Sequence, residues 1–529
     1  MSEHVDFVVI GAGSAGCVLA HRLSENPDAT VLLLEAGNPD DRKEIHIPLL
    51  FSRLLGSDYV WDYMTEPQEH MAGRAMFQPR GRMLGGCSSM NAQIYIRAHR
   101  DMYDRWAELG NEGWSYDEVL PYFLKSENQE RGRSEYHGVG GPLNVADQRD
   151  PNPLTMAFVD ACAELGLPRN DDFNGEQQVG CGYYQVNQKN GSRCSCAVAF
   201  LKPILDRPNL TVKTRARATR CLFEGKRAVG LEYLQGGETH VVNVDGEIIL
   251  SGGAFASPQL LMLSGIGPAD DLRALGIEVV EDLPGVGQNL QDHLAGFFNY
   301  HCKAPISLDA ALPWSPAAPA AMLEYQHFKK GPLSSNLPEG GAFFKTKPDL
   351  PVPDMQLHFV PGFFGDHGRD LPEDYGLCFC PTVLLPESVG YLKLRSADIA
   401  DPVVLQPNYF QQENDMEVML AGAKFCRELA ETKAMKPFAD KPWKPGPEVR
   451  TDDEIRDYLR QTTGTLYHPV GTCKMGVDDL AVVDPQLRVN GFEGLRVADA
   501  SIMPFIPNGN THAPSVMIGE KAADMIAAN

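Results

Sequence analysis

VDFVVIGAGSAGCVLAHRLSENPDATVLLLEAG, residues Val5 to Gly37, decides the fold. The apolar run Phe7 to Ile10 leads into Gly11-Ala12-Gly13-Ser14-Ala15-Gly16. A helix-like segment follows to Asn26-Pro27, and a second apolar run, Val31 to Leu34, is closed by Glu35. That order predicts strand, glycine turn, helix and strand. In such a unit Gly11 permits the tight turn, Gly13 lets the backbone approach a pyrophosphate, and Gly16 lets helix and strand pack closely. The first-turn N–H groups, including those at Ser14 and Ala15, and the helix dipole then favour bound phosphate. Glu35, about 24 residues beyond Gly11 and followed by Ala36, is placed to accept from both ribose hydroxyls and to repel a 2′-phosphate. The expected ligand is FAD or NAD rather than NADP.

At 529 residues the chain is long for one domain, and at least two are expected. A net charge of -23 argues against a nucleic-acid or anionic-membrane partner. Twelve cysteines without a CxxC pair suggest neither a disulfide framework nor a metal site. Cys194/Cys196 and Cys378/Cys380 read as reduced, packed thiols. Met1 to Asp6 carries two acids and no basic region, so no signal peptide is expected, and no apolar run reaches transmembrane length. The chain reads as cytoplasmic, either free or held at the inner membrane through a partner.

Asn38 to Gln78, broken by three prolines, reads as loops over a cofactor. Gly81 to Asn91 forms a turn with adjacent glycines, Gly85 and Gly86, whose N–H groups can face an anion or a ring edge. Trp106 to Leu109 and Asp117 to Lys125 read as short helices, and Gly175 to Gly182 as a glycine-rich loop. Asn209 to Thr214, Cys221 to Phe223 and Ala228 to Leu234 read as strands. Glu247 to Leu250 reads as a buried parallel strand, with Ser257-Pro258 starting the next helix and Gly265 ending it. From Leu294 to about Thr463, short alternating segments such as Met355 to Val360 and Leu377 to Leu385 suggest an antiparallel second domain.

Gly81 to Asn91 and Gly253-Ala254-x-x-Ser257-Pro258-x-Leu260-Leu261-x-x-Ser264-Gly265-Ile266-Gly267 resemble the two signatures of the glucose-methanol-choline (GMC) family of FAD-dependent oxidoreductases. Cys87 is the one departure in the first. Further matches are Leu283 to His293, Tyr467-His468-Pro469-x-Gly471-Thr472-Cys473 and Val497-x-Asp499-Ala500-Ser501-x-Met503-Pro504. The similarity runs from Val5 to Ala527 and is greatest to bacterial choline, aliphatic-alcohol and sorbose dehydrogenases. It implies an α/β fold, α+β overall, with a Rossmann-like FAD-binding domain (1–150, 200–293 and 464–529). An antiparallel substrate domain (151–199 and 294–463) completes it.

The resemblance implies oxidation of a primary alcohol or polyol, with hydride passing to flavin N5. Electrons then go to a quinone, a redox protein or O2. The residue matching His468 is the family's base, and a base beside the hydroxyl is worth about two to four orders of magnitude. His512 is carried over as the second polar group. There the choline and alkanol branch has Asn, and His resembles the His/His pair of the sugar and aryl-alcohol oxidases, so dehydrogenase and oxidase both stay open. The resemblance also sets Arg82, Gly86, Asn91 and Ala92 near the flavin, Val212 near the adenine, and Asp499 and Ala500 near the ribityl and pyrophosphate. Met90 stands where some relatives attach FAD through a histidine, so a non-covalent flavin is expected. Glu339 is either a pocket group for a cation or hydroxyl, or a solvated loop acid. Ser515 to Ala527 reads as an amphipathic helix with Pro514 in its first turn, its positive end near His512 and the flavin. The alternative chemistry is that of the family's FAD-containing hydroxynitrile lyases.

Overall fold

Strand Glu3–Ile10 lies at the middle of a seven-stranded sheet in the computed structural model, which describes residues 3–528. Phe7 pairs with Val31 on one side and with Glu247 on the other, both in parallel. Val31–Leu34 is buried along its whole length, as a parallel strand covered on both faces requires. Leu210–Lys213 extends the parallel set beyond Val31–Leu34. On the edge away from Glu3–Ile10, the long strand Glu238–Leu250 serves two neighbours. Its first half pairs antiparallel with Arg227–Gln235, which pairs in turn with Ala216–Glu224, and its end pairs parallel with Leu495–Val497. The C-terminal segment thereby returns to the nucleotide sheet.

Helix Ser14–Leu23 packs on the C-terminal helix His512–Ala527, which in turn meets Tyr116–Ser126. The C-terminal helix differs from the amphipathic expectation, because it is buried almost all round. Glu520 is fully buried yet receives Arg22 bidentately at 2.8 and 2.9 Å, the geometry that makes a buried carboxylate tolerable.

The second sheet runs Ala439–Lys444, Phe298–Cys302, Gly376–Val383, Met355–Val360, Gly340–Phe344 and Gly180–Tyr183, all antiparallel. Gly464–Thr465 joins this sheet through Leu294–Ala295. Both faces are covered. Met355, Leu357 and Phe359 face helices, with Phe359 stacked on Phe158 at 4.7 Å. Alternation therefore exposes the next residues to the opposite side, where His358 and Val360 line the central cavity.

Three local expectations are corrected. Gly175 to Gly182 is not wholly a loop, because Gly180–Tyr183 is an edge strand. A Cβ on Gly182 would stand 2.0 Å from the Asn170 carbonyl, so glycine marks a close backbone approach there. Asn38 to Gln78 contains Val60–Met64, which pairs with Phe77–Gly81. Finally, the helix expected to start at Ser257-Pro258 begins at Gly253 and carries Pro258 in its interior. Pro258 has no N–H for the Ala254 carbonyl one turn back; the Thr472 hydroxyl donates to that carbonyl instead, at 2.6 Å.

Candidate active site

The glycine turn and the second sheet bound one continuous cavity. At its nucleotide end lie Gly11, Gly13, Ser14, Ala15, Glu35, Ala36, Gly86, Asp499 and Ala500. Helix Ser14–Leu23 begins at Gly13 with no side-chain cap, leaving first-turn N–H groups for a ligand. Gly11 has φ +97°, and a Cβ on it would meet the Ser251 carbonyl at 2.6 Å. A Cβ on Gly86 would stand 2.8 Å from the Gly13 Cα, so the two glycine turns close against each other. Gly16 is excluded from the cavity wall, since a Cβ there would meet the Gly11 carbonyl at 1.8 Å; its role is packing.

The Glu35 carboxylate accepts from the Ala12 N–H at 2.9 Å and the Gly37 N–H at 2.7 Å. Burial raises its pKa to about 7 against the opposing pull of those two donors. Asp499 accepts from Gly253 N–H, the Ser257 hydroxyl and Ser501 N–H at 2.8, 2.6 and 2.7 Å. Arg82, Val212 and Glu339 do not reach the cavity wall. Arg82 lies over the Trp61 ring, 4.3 Å from its centroid, and Val212 is paired with Leu33 in the sheet. Glu339 is neither a pocket group nor a solvated acid. Its buried carboxylate takes the Asn152 N–H at 2.7 Å and the Thr155 hydroxyl at 2.8 Å, at the start of helix Pro153–Glu164. Negative charge is favoured at that end of a helix.

His468 stands at the other end of the cavity, in a turn with Tyr467 at φ +69°. Asp292 holds the turn. It accepts from the His468 N–H at 2.8 Å and from the hydroxyls of Thr465 and Tyr409 at 2.5 Å each. The His468 ring touches His293, Nδ1 to Nδ1 at 2.9 Å, while its Nε2 lies 3.4 Å from Asn510 Nδ2.

Two hydrogen-bond chains set the protons. His293 Nε2 is 3.1 Å from the Leu384 carbonyl, which only accepts, so that nitrogen carries hydrogen. Burial lowers His293 to about 3, so the ring is neutral and its Nδ1 is bare. His468 Nδ1 must then donate to it, leaving His468 Nε2 bare toward the cavity. From the other side, the Tyr184 hydroxyl donates to the Leu357 carbonyl at 2.8 Å and therefore accepts from Gln356 Nε2 at 2.9 Å. Gln356 Nε2 also donates to Asn510 Oδ1 at 3.3 Å, which turns Asn510 Nδ2 toward His468. Both chains assign an acceptor at His468 Nε2 and a donor at Asn510 Nδ2.

Burial is the largest influence on His468 and, with the charges that His293, His358 and Arg80 would present, pushes it well below 6.5. The ring is a neutral acceptor across the cellular pH range. His512 also lines the cavity, with its ring held at the glycine turn. It is the first residue of helix His512–Ala527, its Nδ1 is 3.0 Å from the Ser14 hydroxyl, and burial followed by Arg193 lowers it to about 4. Asn510, two residues earlier, occupies the place beside His468. Neither Asn510 nor His293, the last residue of a matched motif, carried an expected role. Gln356 and His358, on one face of a sheet strand, carried no motif.

Family models described as GMC oxidoreductase match residues 5–295 and 386–519. The chain belongs to the GMC oxidoreductase family. It is 44% identical to an alcohol dehydrogenase [acceptor] from Pseudomonas putida, covering 98% of this chain and 95% of that one. It is 46% identical to a mitochondrial choline dehydrogenase from Mus musculus, covering 99% and 89%. Among solved structures, pyridoxine 4-oxidase from Mesorbium loti superposes with TM-score 0.90 at 33% identity, covering 99% of each chain. A formate oxidase variant from Aspergillus oryzae RIB40 does so with TM-score 0.94 at 30% identity, covering 100% of this chain and 98% of that one. These GMC relatives are dehydrogenases and oxidases, and the lyase alternative has no support among them. The chain is an FAD-dependent oxidoreductase acting on CH–OH donors. Its residues fit FAD: an uncapped helix start, two glycine turns too close for any Cβ, and a buried carboxylate at the end of the second strand. The antiparallel sheet covers the end of the cavity where His468 stands.

Proposed function

We propose that this protein oxidises uncharged primary alcohols bearing an apolar body, with His468 as the base. The observation that carries this reading is the bare Nε2 of His468 facing the cavity beside the Asn510 amide donor, 3.4 Å away. Bound FAD supplies the hydride acceptor. An alcohol oxygen in the cavity, within hydrogen-bond reach of both groups, donates its proton to His468 Nε2 and accepts from Asn510 Nδ2. Proton removal by a positioned base contributes about two to four orders of magnitude. Asp292 and His293 hold the ring so that neither its position nor its tautomer need change before reaction.

The cavity wall supports the substrate class. Phe297, Leu337, Val360, Phe364 and Leu466 form one apolar cluster in the cavity wall on the second sheet's side, whereas the lining carboxylates, Glu35 and Asp499, belong to the nucleotide end. A quaternary ammonium group would find rings but no carboxylate, so alkanols and benzylic alcohols suit the wall better than choline. No helix among the described residues is long and apolar enough to cross a membrane.

The test is the visible spectrum of the anaerobic protein with alkanols, benzyl alcohols, choline and sugars. Bleaching by alkanols or benzyl alcohols at concentrations where choline has no effect is the expected result. Bleaching by choline alone would overturn the substrate class, and no bleaching by any alcohol would overturn the reaction. Re-oxidation by O2 or by a quinone analogue then identifies the acceptor.

A further inference from the structure

Three arginines among the described residues are buried to 2% exposure or less: Arg97, Arg193 and Arg496. Arg97 pairs with Glu127 at 2.8 Å, and Arg496 with Glu247 at 3.0 Å. Arg193 has no such carboxylate. Its Nε donates to the Ile45 carbonyl at 2.8 Å, and its Nη1 to the Ser88 carbonyl at 3.1 Å and Asn91 Oδ1 at 2.8 Å. Its Nη2 is buried without a partner. Burial alone, unrelieved by any acid, lowers this guanidinium to about 9. A buried charge left unpaired is costly, and proteins retain one where something else supplies the opposite sign.

Ser88, Asn91 and Phe51 are cavity wall, and the guanidinium lies just behind them, 5.9 Å from the Phe51 ring centroid. Asn91 Oδ1 accepts from both Arg193 and the Gln93 N–H at 3.0 Å. With its oxygen so occupied, the Asn91 amide is left with Nδ2, a donor, in the wall. Glu35 and Asp499 cannot balance Arg193, because each is already held by backbone N–H groups elsewhere.

We propose that Arg193 is the counter-cation of bound FAD, fixing Asn91 as a donor to the cofactor and supplying from behind the wall the positive charge that the cofactor's negative charge balances. The inference rests on the cavity holding FAD, as family membership requires. Two sources of negative charge share this chemistry: the pyrophosphate, present throughout, and the charge the isoalloxazine ring gains with a hydride.

Arg193→Gln keeps donors for the carbonyls and removes the charge, whereas Arg193→Lys keeps the charge. FAD dissociation constants of the apoproteins and midpoint potentials of the holoproteins are measured for wild type and both variants. Arg193→Gln is expected to lose at least tenfold in one quantity. A loss in affinity for oxidised FAD alone assigns the pyrophosphate; a fall in potential, about 30 mV per tenfold for a two-electron couple, assigns the ring. Arg193→Lys stays within threefold in both. Both quantities unchanged in Arg193→Gln, or equal losses in the two variants, would overturn the proposal. Asn91→Asp provides a check should Arg193→Gln not fold. By pairing the guanidinium internally it raises the apoprotein's melting temperature and weakens FAD binding at least tenfold, and failure of either effect counts against Arg193. A wild-type protein that takes up no FAD would instead refute the cofactor assignment itself.

Discussion

His293 Nδ1 and His468 Nδ1 stand 2.9 Å apart, and because the Leu384 carbonyl claims the proton of His293 Nε2, the shared proton belongs to His468. A ring nitrogen's state is set by what the other nitrogen bonds. Replacing His293 by Phe keeps an aromatic of similar bulk and removes the acceptor. Flavin reduction by a good alcohol should slow about ten- to a hundredfold with FAD still bound, read by stopped-flow absorbance. An unchanged rate would show that His468 keeps its tautomer without His293.

Asn510 and His512 make opposite predictions. Asn510→Ala removes the donor beside His468 Nε2 and should slow flavin reduction about a hundredfold. His512→Ala removes the tie to the Ser14 hydroxyl at the glycine turn, so its main effect should be weaker retention of FAD. Rates measured at saturating FAD separate the two; a larger rate loss in His512→Ala would reverse the roles.

Thr472→Val tests a structural repair. Without its hydroxyl the Ala254 carbonyl, already denied a partner by Pro258, is left unsatisfied. A loss of about 1–3 kcal/mol in urea unfolding is expected. A stability equal to wild type would mean that water or another donor serves that carbonyl.

His137 lies between Glu127 and Asp172, at 2.9 and 2.8 Å. Burial lowers its pKa, but the bonds to Asp172 and Glu127 outweigh burial and leave it raised above 6.5. A raised histidine stabilises the fold fully below its unfolded value and loses that contribution as pH climbs through the folded one. Asp172 is lowered from 3.8: burial opposes, and the bond to His137 with other donors prevails. Its contribution is present above that value and lost in acid. Thermal stability should therefore fall as pH rises beyond about 6.5. His137→Gln should flatten that part of the profile, and an unaltered slope would exclude this cluster as its source.

Met90, buried at 9% exposure, lines the cavity where some relatives carry the histidine that bonds flavin. Acid precipitation should release all the flavin into the supernatant. Colour left in the pellet would require another attachment point.

The chain's local chemistry is enough to specify the nucleotide half. Strand, glycine turn, helix and Glu35 are contiguous, and Gly11 and Gly16 answer steric demands that the Ser251 and Gly11 carbonyls create. Periodicity likewise marked the antiparallel second sheet, although burial on both its faces blurred the alternation in Met355–Val360. The catalytic end was only partly legible. His468 could be singled out because its motif is local, but its proton is placed by His293 from one segment and by Gln356 and Asn510 from two others, which meet only in the folded sheet. Asn510 and His512 are two residues apart, and the start of a helix between them decides which reaches His468 and which turns to Ser14. Glu339 looked like a pocket acid until the fold brought Asn152 and Thr155 to its carboxylate. Arg193 carries no sequence signal at all, since a missing counter-charge becomes visible only when every neighbour is in place. Sequence determines propensity and spacing over a few turns of chain; hydrogen-bond direction and charge balance at this site arise from groups far apart in the chain that only packing brings within 3.5 Å of one another.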